Sequence, residues 1–314
     1  MLIKNIFSVI LLPIFFYSIP FSAKAETYKL YFLAGQSNMV GVGFINELPK
    51  KYNHISENVM IFRGNPGDDN KPVHKLRGIA AMGVWGKLRP GYAGGSMSDG
   101  KNSYLGGRFG PELSFGQTLE KLYPNQKIAI IKYARGGSSL YNMPKRKNKP
   151  KRNNWDERAE GINQYDYALK TIRNAFAISD IDGDGERDTL IPAGIIWMQG
   201  ESDSGDIRIA KAYEENLHHL MGLLRAALHR DDLPIIIGMT TNAITKQGKP
   251  KRKNGHVVKN EQRAFAKNDV CAHLVEETDT YKMRPDLAHY SSEGYIKMGI
   301  AFAKAVYMLE KSCK

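Results

Sequence analysis

Lys29-Leu30-Tyr31-Phe32-Leu33-Ala34-Gly35-Gln36-Ser37-Asn38-Met39 is an apolar run of strand character that stops at a glycine, with a serine two residues later. A serine at the carboxyl end of a strand, beside a sharp glycine turn, stands where open α/β sheets place their chemistry. A helix starting just after it would also turn free backbone N–H groups toward an anion. The plainer alternative is an ordinary strand-to-loop turn, in which glycine and serine are both common. The rest of the chain has to decide between a nucleophile and a turn.

Outward from this stretch, strands and helices alternate. Tyr28 to Ala34 and Asn58 to Phe62 read as strands, followed by a glycine-rich irregular stretch from Arg63 to Gly110. Pro111 to Leu122 fits a helix with proline in its first turn, where the missing N–H costs nothing. Lys127 to Tyr133 is a buried-type strand, Ile162 to Ile178 a helix and Ala193 to Met198 a strand. Ile209, Tyr213, Leu217, Leu220, Leu224 and Leu228 recur at spacings of three and four and mark one helix with one buried face. Pro234 to Met239 and Val270 to Val275 close the series of strands, with a helix from Val258 to Lys267 between them. A last helix, capped by Ser292, runs to about Leu309. This alternation predicts a central parallel sheet covered on both faces through right-handed crossovers. No internal repeat interrupts it, so residues 26–314 read as one domain.

Residues 1–25 stand apart. Lys4 gives a positive start, Ile6 to Phe21 is mostly apolar, and Ala23-Lys24-Ala25 has the small-x-small form of a cleavage site. The pattern is that of a secretory signal peptide cleaved near Ala25, leaving a secreted or periplasmic protein. No later stretch has the ~20 apolar residues of a membrane span. The formal charge is +13, and +11 without Lys4 and Lys24. Much of the excess lies in 145–152 (KRKNKPKR) and 246–253 (KQGKPKRK), which read as solvated loops or as an attraction to an acidic glycan. An exported chain without a reading motif argues against nucleic acid. Cys271 and Cys313 are the two cysteines, and an exported protein permits them either to pair or to remain thiols.

In a parallel sheet every strand ends on the same edge, so four polar loops meet there: Gln36-Ser37-Asn38, Arg135-Gly136-Gly137-Ser138, Gln199-Gly200-Glu201-Ser202-Asp203 and Asp286-Leu287-Ala288-His289. Acyl transfer requires a hydroxyl nucleophile, a base, an acid that orients the base, and donors for the oxyanion. These loops supply all four. Gly-Gln-Ser-Asn-Met (35–39), Arg-Phe-Gly-Pro-Glu (108–112), Ala-Arg-Gly-Gly-Ser (134–138), Trp-Met-Gln-Gly-Glu-Ser-Asp (197–203) and Asp-x-x-His (286–289) follow in this order. Together they resemble the carbohydrate-esterase branch of the SGNH hydrolases, the sialate O-acetylesterase and acetylxylan-esterase-like group. The resemblance implies a flavodoxin-like three-layer α/β/α sandwich (the SGNH hydrolase fold) and metal-independent removal of acetyl groups from sugars. It places the nucleophile at Ser37, the triad histidine at His289 and the acid at Asp286. The oxyanion donors fall on the N–H groups of Ser37 and Gly137 and on the side-chain amide of Gln199. Asn38 and Glu201 complete the oxyanion and substrate-binding set. No glycine follows at position 39, so the nucleophile elbow of the α/β-hydrolases is not met.

Other readings stand beside these. Asp279 is the rival acid, and Glu201 with Asp203 reads either as a second acid pair or as a loop brace. Asp180, Asp182, Asp184 and Asp188 occupy positions 1, 3, 5 and 9 of a calcium-type loop, with glycine at position 6. Position 12 is Ile191, so a full EF-hand is excluded, and a structural Ca²⁺ competes with a plain Asp/Gly turn. Two function classes follow: a secreted carbohydrate O-acetylesterase with an acetyl-enzyme intermediate, or a non-catalytic glycan-binding protein on the same fold. A serine peptidase or lipase is weaker, since no long apolar lid segment is present. The acetylated sugar is not identified by these motifs.

Overall fold

In the computed structural model, which describes residues 24–74, 78–143 and 151–313, the fold is built around strand β1, Thr27–Gly35. The segment read as a signal peptide lies outside the described residues except for Lys24 and Ala25, and of the basic run 145–152 only Lys151 and Arg152 are described. Along β1, Tyr28, Leu30, Phe32 and Ala34 enter one hydrophobic core while Tyr31 and Leu33 enter the other. A strand buried on both sides has no polar face to keep, which is why its sequence runs apolar without alternation.

Six further strands complete the sheet: β2 (Val59–Arg63), β3 (Trp85–Lys87), β4 (Lys127–Ala134), β5 (Thr189–Met198), β6 (Ile235–Gly238) and β7 (Ala272–Val275). Their order is β7-β6-β5-β1-β4-β2-β3. The first six are parallel, whereas β3 pairs antiparallel with β2, so the sheet is mixed rather than wholly parallel. β3 escapes the sequence pattern because its three residues include Gly86 and sit inside the glycine-rich stretch. One face is covered by α3 (Gln164–Phe176), α5 (Tyr213–Ala227) and α6 (Gly255–Asn268). The other is covered by α2 (Pro111–Leu122) and α7 (Ser292–Ser312). The result is the expected three-layer α/β/α sandwich.

Two local details differ from the expectation. The helix read from Ile209 to Leu228 is two helices, α4 (Ile207–Lys211) and α5, with Ala212 between them at φ −93°, ψ 9°. Its heptad-like spacing survives the break because Ile209, Tyr213 and Leu217 still face the core. The closing helix is capped by Ser291, whose hydroxyl accepts the Gly294 N–H at 3.1 Å. The Ser292 hydroxyl instead accepts the Phe44 N–H and reaches Glu47.

The order of the strands matters for the site. The chain leaves β1 toward β2 and β4 on one side and later returns to β5, β6 and β7 on the other. The direction reverses at β1, and the carboxyl ends of β4, β1 and β5 therefore frame a crevice.

Cys271 and Cys313 form a disulfide that ties the end of α7 to the start of β7, closing a loop with a sequence separation of 42. In the chain-entropy model a loop of that length stabilises the fold by about 4 kcal/mol. The bond lies at the edge opposite the crevice. Reduction, or the double change Cys271→Ala/Cys313→Ala, is expected to lower unfolding stability by roughly that amount in a denaturant titration. Turnover measured well below the melting temperature should be kept.

Candidate active site

The turn after β1 is forced by backbone contact. Gly35 has φ +143°, and a Cβ there would lie 2.2 Å from the Met198 carbonyl oxygen of β5. The Gln36 N–H donates to that same oxygen at 2.9 Å, and the Arg135 N–H donates to the Gly35 oxygen at 3.1 Å. The chain then turns into a four-residue helix, α1 (Ser37–Val40), with Ser37 as its first residue and partly exposed. The loop after β4 comes up against it: a Cβ on Gly136 would stand 3.5 Å from the Ser37 Cβ. Gly137 follows at φ +73°, exposed, with open space where a side chain would project.

The second half of the site is the loop before α7. His289 Nδ1 lies 2.8 Å from Asp286 Oδ2, and the other carboxylate oxygen accepts the N–H groups of Ala288 (2.8 Å) and His289 (3.0 Å). Burial pushes the Asp286 carboxyl up, but the His289 ring and those two N–H groups outweigh it and hold it down at about 2. Asp286 is thus ionised throughout the neutral range. The loop closes through Leu287 at φ +53°, a conformation that costs a non-glycine residue ~1 kcal/mol or more. Asp279, the rival acid, is bonded to Lys259 on α6.

Asn38 joins the two halves. It has no exposed surface; its Nδ2 donates to Glu201 Oε1 at 2.5 Å and to the Ala288 oxygen at 3.1 Å. Its Oδ1 accepts from the Tyr290 N–H at 3.4 Å and the Tyr295 hydroxyl at 2.9 Å. The residue after Ser37 is therefore bonded to both neighbours of His289. Glu201 is also buried, and its second oxygen has no hydrogen-bond partner among the described residues.

Gln199 is enclosed as completely. Its Nε2 lies against Gln36 Oε1 (3.2 Å), the Ser138 oxygen (3.1 Å) and Asp203 Oδ2, while its Oε1 accepts from the Tyr213 hydroxyl at 3.1 Å. An amide has two protons to give. Both have acceptors inside the protein, so here Gln199 braces three loops rather than facing the crevice. Gln36, unassigned from sequence despite standing in the first motif, takes the Ser202 N–H as well at 3.3 Å. Tyr295 carried no signal, because it meets Asn38 from 257 positions away.

The family model for carbohydrate esterases, sialic acid-specific acetylesterases, matches residues 27–308. The chain belongs to this family. No curated protein matches it closely enough to count. Among solved structures, a protein from Arabidopsis thaliana aligns with a TM-score of 0.58 at 19% identity, over 90% of this chain and 98% of that one. NanS aligns with a TM-score of 0.57 at 15% identity, over 92% and 99%. A carbohydrate acetylesterase from Xanthomonas citri aligns at 0.56 and 15%, over 90% of this chain and 57% of that one. At such identities these likenesses speak for the shared fold.

Two hollows open beside the site in this carbohydrate esterase. One, of about 460 Å³, is lined by Arg135, Asp68, Asp69, Lys151 and Arg152; the other, of about 440 Å³, by Phe44, Met283, Arg284 and Pro285. The first holds cations next to carboxylates, with Asp69 raised to about 6 by burial. The aspartate-rich loop lies at the opposite edge of the sheet. Asp180, Asp182 and Asp188 bring carboxylate oxygens within 4.8 Å of one another, and Asp184 stands outside that group. All three already accept from the chain: Asp180 from the Gly183 and Gly185 N–H groups, Asp182 from the Tyr28 hydroxyl, and Asp188 from the Glu26 N–H. Among the described residues, no helix is long and apolar enough to cross a membrane.

Burial raises the Asp203 carboxyl from 3.8 to about 7, against hydrogen bonds from Gln199 and the Leu140 N–H that favour its charge. Between those pH values the unfolded chain gives up a proton that the folded one keeps. The stability this protonated acid contributes is complete below about 3.8 and lost as pH rises through about 7. Asp203→Asn should flatten that part of the stability–pH curve, as measured by urea titrations from pH 4 to 8. Equal slopes in the two proteins would refute the assignment.

Proposed function

We propose that the protein is an exported carbohydrate O-acetylesterase that works through an acetyl-enzyme on Ser37. The Ser37 hydroxyl attacks the acetyl carbonyl while His289 takes its proton. His289 then returns the proton to the departing sugar oxygen. Asp286, ionised and bonded to Nδ1, holds the ring with its other nitrogen toward the serine and offsets the charge the ring acquires. Water, activated by the same histidine, hydrolyses the acetyl-enzyme. The observation that carries this reading is Asn38, whose amide binds the residues on both sides of His289 from the position next to Ser37.

We assign the oxyanion to the backbone N–H groups of Ser37 and Gly137. Gly136, packed against Ser37, brings Gly137 to the serine, and the open space at Gly137 leaves room for a substrate. Gln199 enters as the brace of these loops. To donate to the oxyanion it would have to release Asp203 or Ser138. The family and the mixed-charge hollow at Arg135 favour an acetylated acidic sugar as substrate, with the basic runs 145–152 and 246–253 of the sequence adding long-range attraction to an acidic glycan. The reaction needs no metal, and any Ca²⁺ at Asp180, Asp182 and Asp188 would serve stability alone. Export rests on the 1–25 pattern.

The purified protein is expected to release acetate from aryl acetates and from O-acetylated sialic acid faster than from acetylated xylan, with a steep fall for butyryl esters. Ser37→Ala should abolish turnover while leaving the melting curve in place. A folded Ser37→Ala protein with wild-type rate would refute the nucleophile, whereas a wild-type protein that binds glycan without releasing acetate would favour the non-catalytic reading.

Gln199→Ala should lose stability and activity together, since it takes a donor from the Ser138 oxygen and from Asp203 Oδ2; leaving buried polar groups unpaired costs about 1–3 kcal/mol each. A stable Gln199→Ala enzyme with kcat reduced ~10²–10³-fold and KM unchanged would instead return Gln199 to the oxyanion.

A further inference from the structure

Strand β4 carries a lysine where its pattern calls for an apolar residue. In Lys127-Ile-Ala-Ile-Ile-Lys132-Tyr133, the side chain of Lys132 falls on the face toward α2, between the core residues Ile130 and Ala134. It is almost entirely buried. Its Nζ donates to Glu112 Oε2 at 2.6 Å and to the Val40 carbonyl oxygen at 3.0 Å. Val40 is the last residue of α1, the helix that begins at Ser37. Glu112, equally buried, uses its other oxygen to accept the Gly110 N–H at 2.9 Å. Gly110 is packed so closely on the residue after α1 that a Cβ on Gly41 would lie 2.2 Å from the Gly110 Cα.

A four-residue helix cannot hold itself, because nucleation costs more than so few hydrogen bonds return. Its backbone bonds are few: the Met39 and Val40 N–H groups donate to the Gln36 oxygen and the Gly41 N–H to the Ser37 oxygen. Its first turn is held by Met198 and Asn38. Its last carbonyl is held by Lys132. A buried ammonium is costly, and a pair of apolar residues would fill the same volume without that cost. Burial does push the Lys132 ammonium's pKa down, with Glu112 opposing the shift.

We propose that Lys132 is a positioning residue for the nucleophile, its ammonium fixing the far end of α1, and with it the Ser37 hydroxyl, while Glu112 offsets the charge buried beside it. This rests on Ser37 being the nucleophile. The three groups come from three elements that meet only in the folded chain: the end of α1, the middle of the sheet and the first turn of α2. Glu112 belongs to the Arg-Phe-Gly-Pro-Glu motif, to which no chemistry had been attached.

The test compares Lys132→Met, Glu112→Gln and the double variant Lys132→Met/Glu112→Leu, using aryl acetate turnover per serine counted by organophosphonate titration, together with melting temperatures. Lys132→Met should lose roughly 30–100-fold in kcat with KM within about twofold, the signature of a displaced nucleophile rather than lost binding. The double variant, with the ion pair replaced by apolar volume, should recover most of the melting temperature but not kcat. Glu112→Gln should lower the melting temperature with only a few-fold loss in kcat, because the ammonium can still reach Val40. Recovery of kcat together with melting temperature in the double variant, or equal kcat losses in Glu112→Gln and Lys132→Met, would overturn the inference while leaving the esterase reading intact. If the double variant does not fold, the comparison of the two single variants decides. A wild-type protein inert toward acetyl esters would overturn both readings.

Discussion

The site depends on one buried side chain, the amide of Asn38. All of its hydrogen-bonding capacity is spent: two donors to Glu201 and Ala288, and two acceptances from Tyr290 and Tyr295. A buried amide that found fewer partners would cost the fold about 1–3 kcal/mol for each one missing. Folding to full satisfaction therefore draws the loop after β5, the loop before α7 and α7 itself onto the residue beside Ser37. Specificity of this kind comes from the penalty for the wrong arrangement more than from the strength of any single bond.

The crevice into which this happens is a property of the sheet. β4, β1 and β5 run parallel and adjacent, so their carboxyl ends lie together, and the chain's change of direction at β1 leaves no crossover blocking the gap. Gly35 lets β1 end in contact with the backbone of β5, and Gly136 lets the loop after β4 lie against Ser37. The protein accepts unfavourable features to complete the arrangement. Leu287 is left-handed so that Asp286 can reach both the His289 ring and its backbone, Asp203 is buried at the expense of its charge, and Lys132 is buried as an ion. Each of these lies within or just behind the loops that face the crevice, where strain is maintained because the surroundings over-determine it.

Gln199 shows how a motif can be located correctly and still hold more than one role. The residue stands at the expected strand end and touches the expected loops. Its amide, however, faces inward to Asp203, Ser138 and Gln36. A carboxamide beside a nucleophile can donate to an oxyanion or hold a loop, and the same residue type suits both. The difference is whether its protons have other acceptors, which depends on residues such as Asp203 and Tyr213 that reach it from outside the turn.

By itself the sequence determined the α/β class, six of the seven strands and the grouping of Ser37, Gly137, Gln199, Asp286 and His289 at one edge. It could do so because the buried strands are continuous apolar runs and a parallel sheet sends all their ends the same way. It also marked Asp286 and His289 as partners, since three residues of separation let a carboxylate meet a ring within one loop. Only the tertiary structure decided the rest. The short antiparallel β3, the break at Ala212 and the cap at Ser291 turn on local hydrogen bonds too weak to leave a pattern. The pairing of Cys271 with Cys313 needed the end of α7 brought beside β7. The bonds of Asn38 to residues some 250 positions away, and of Lys132 to Val40 and Glu112, exist only once the layers are packed, because a buried polar group takes whatever partners the fold brings within reach.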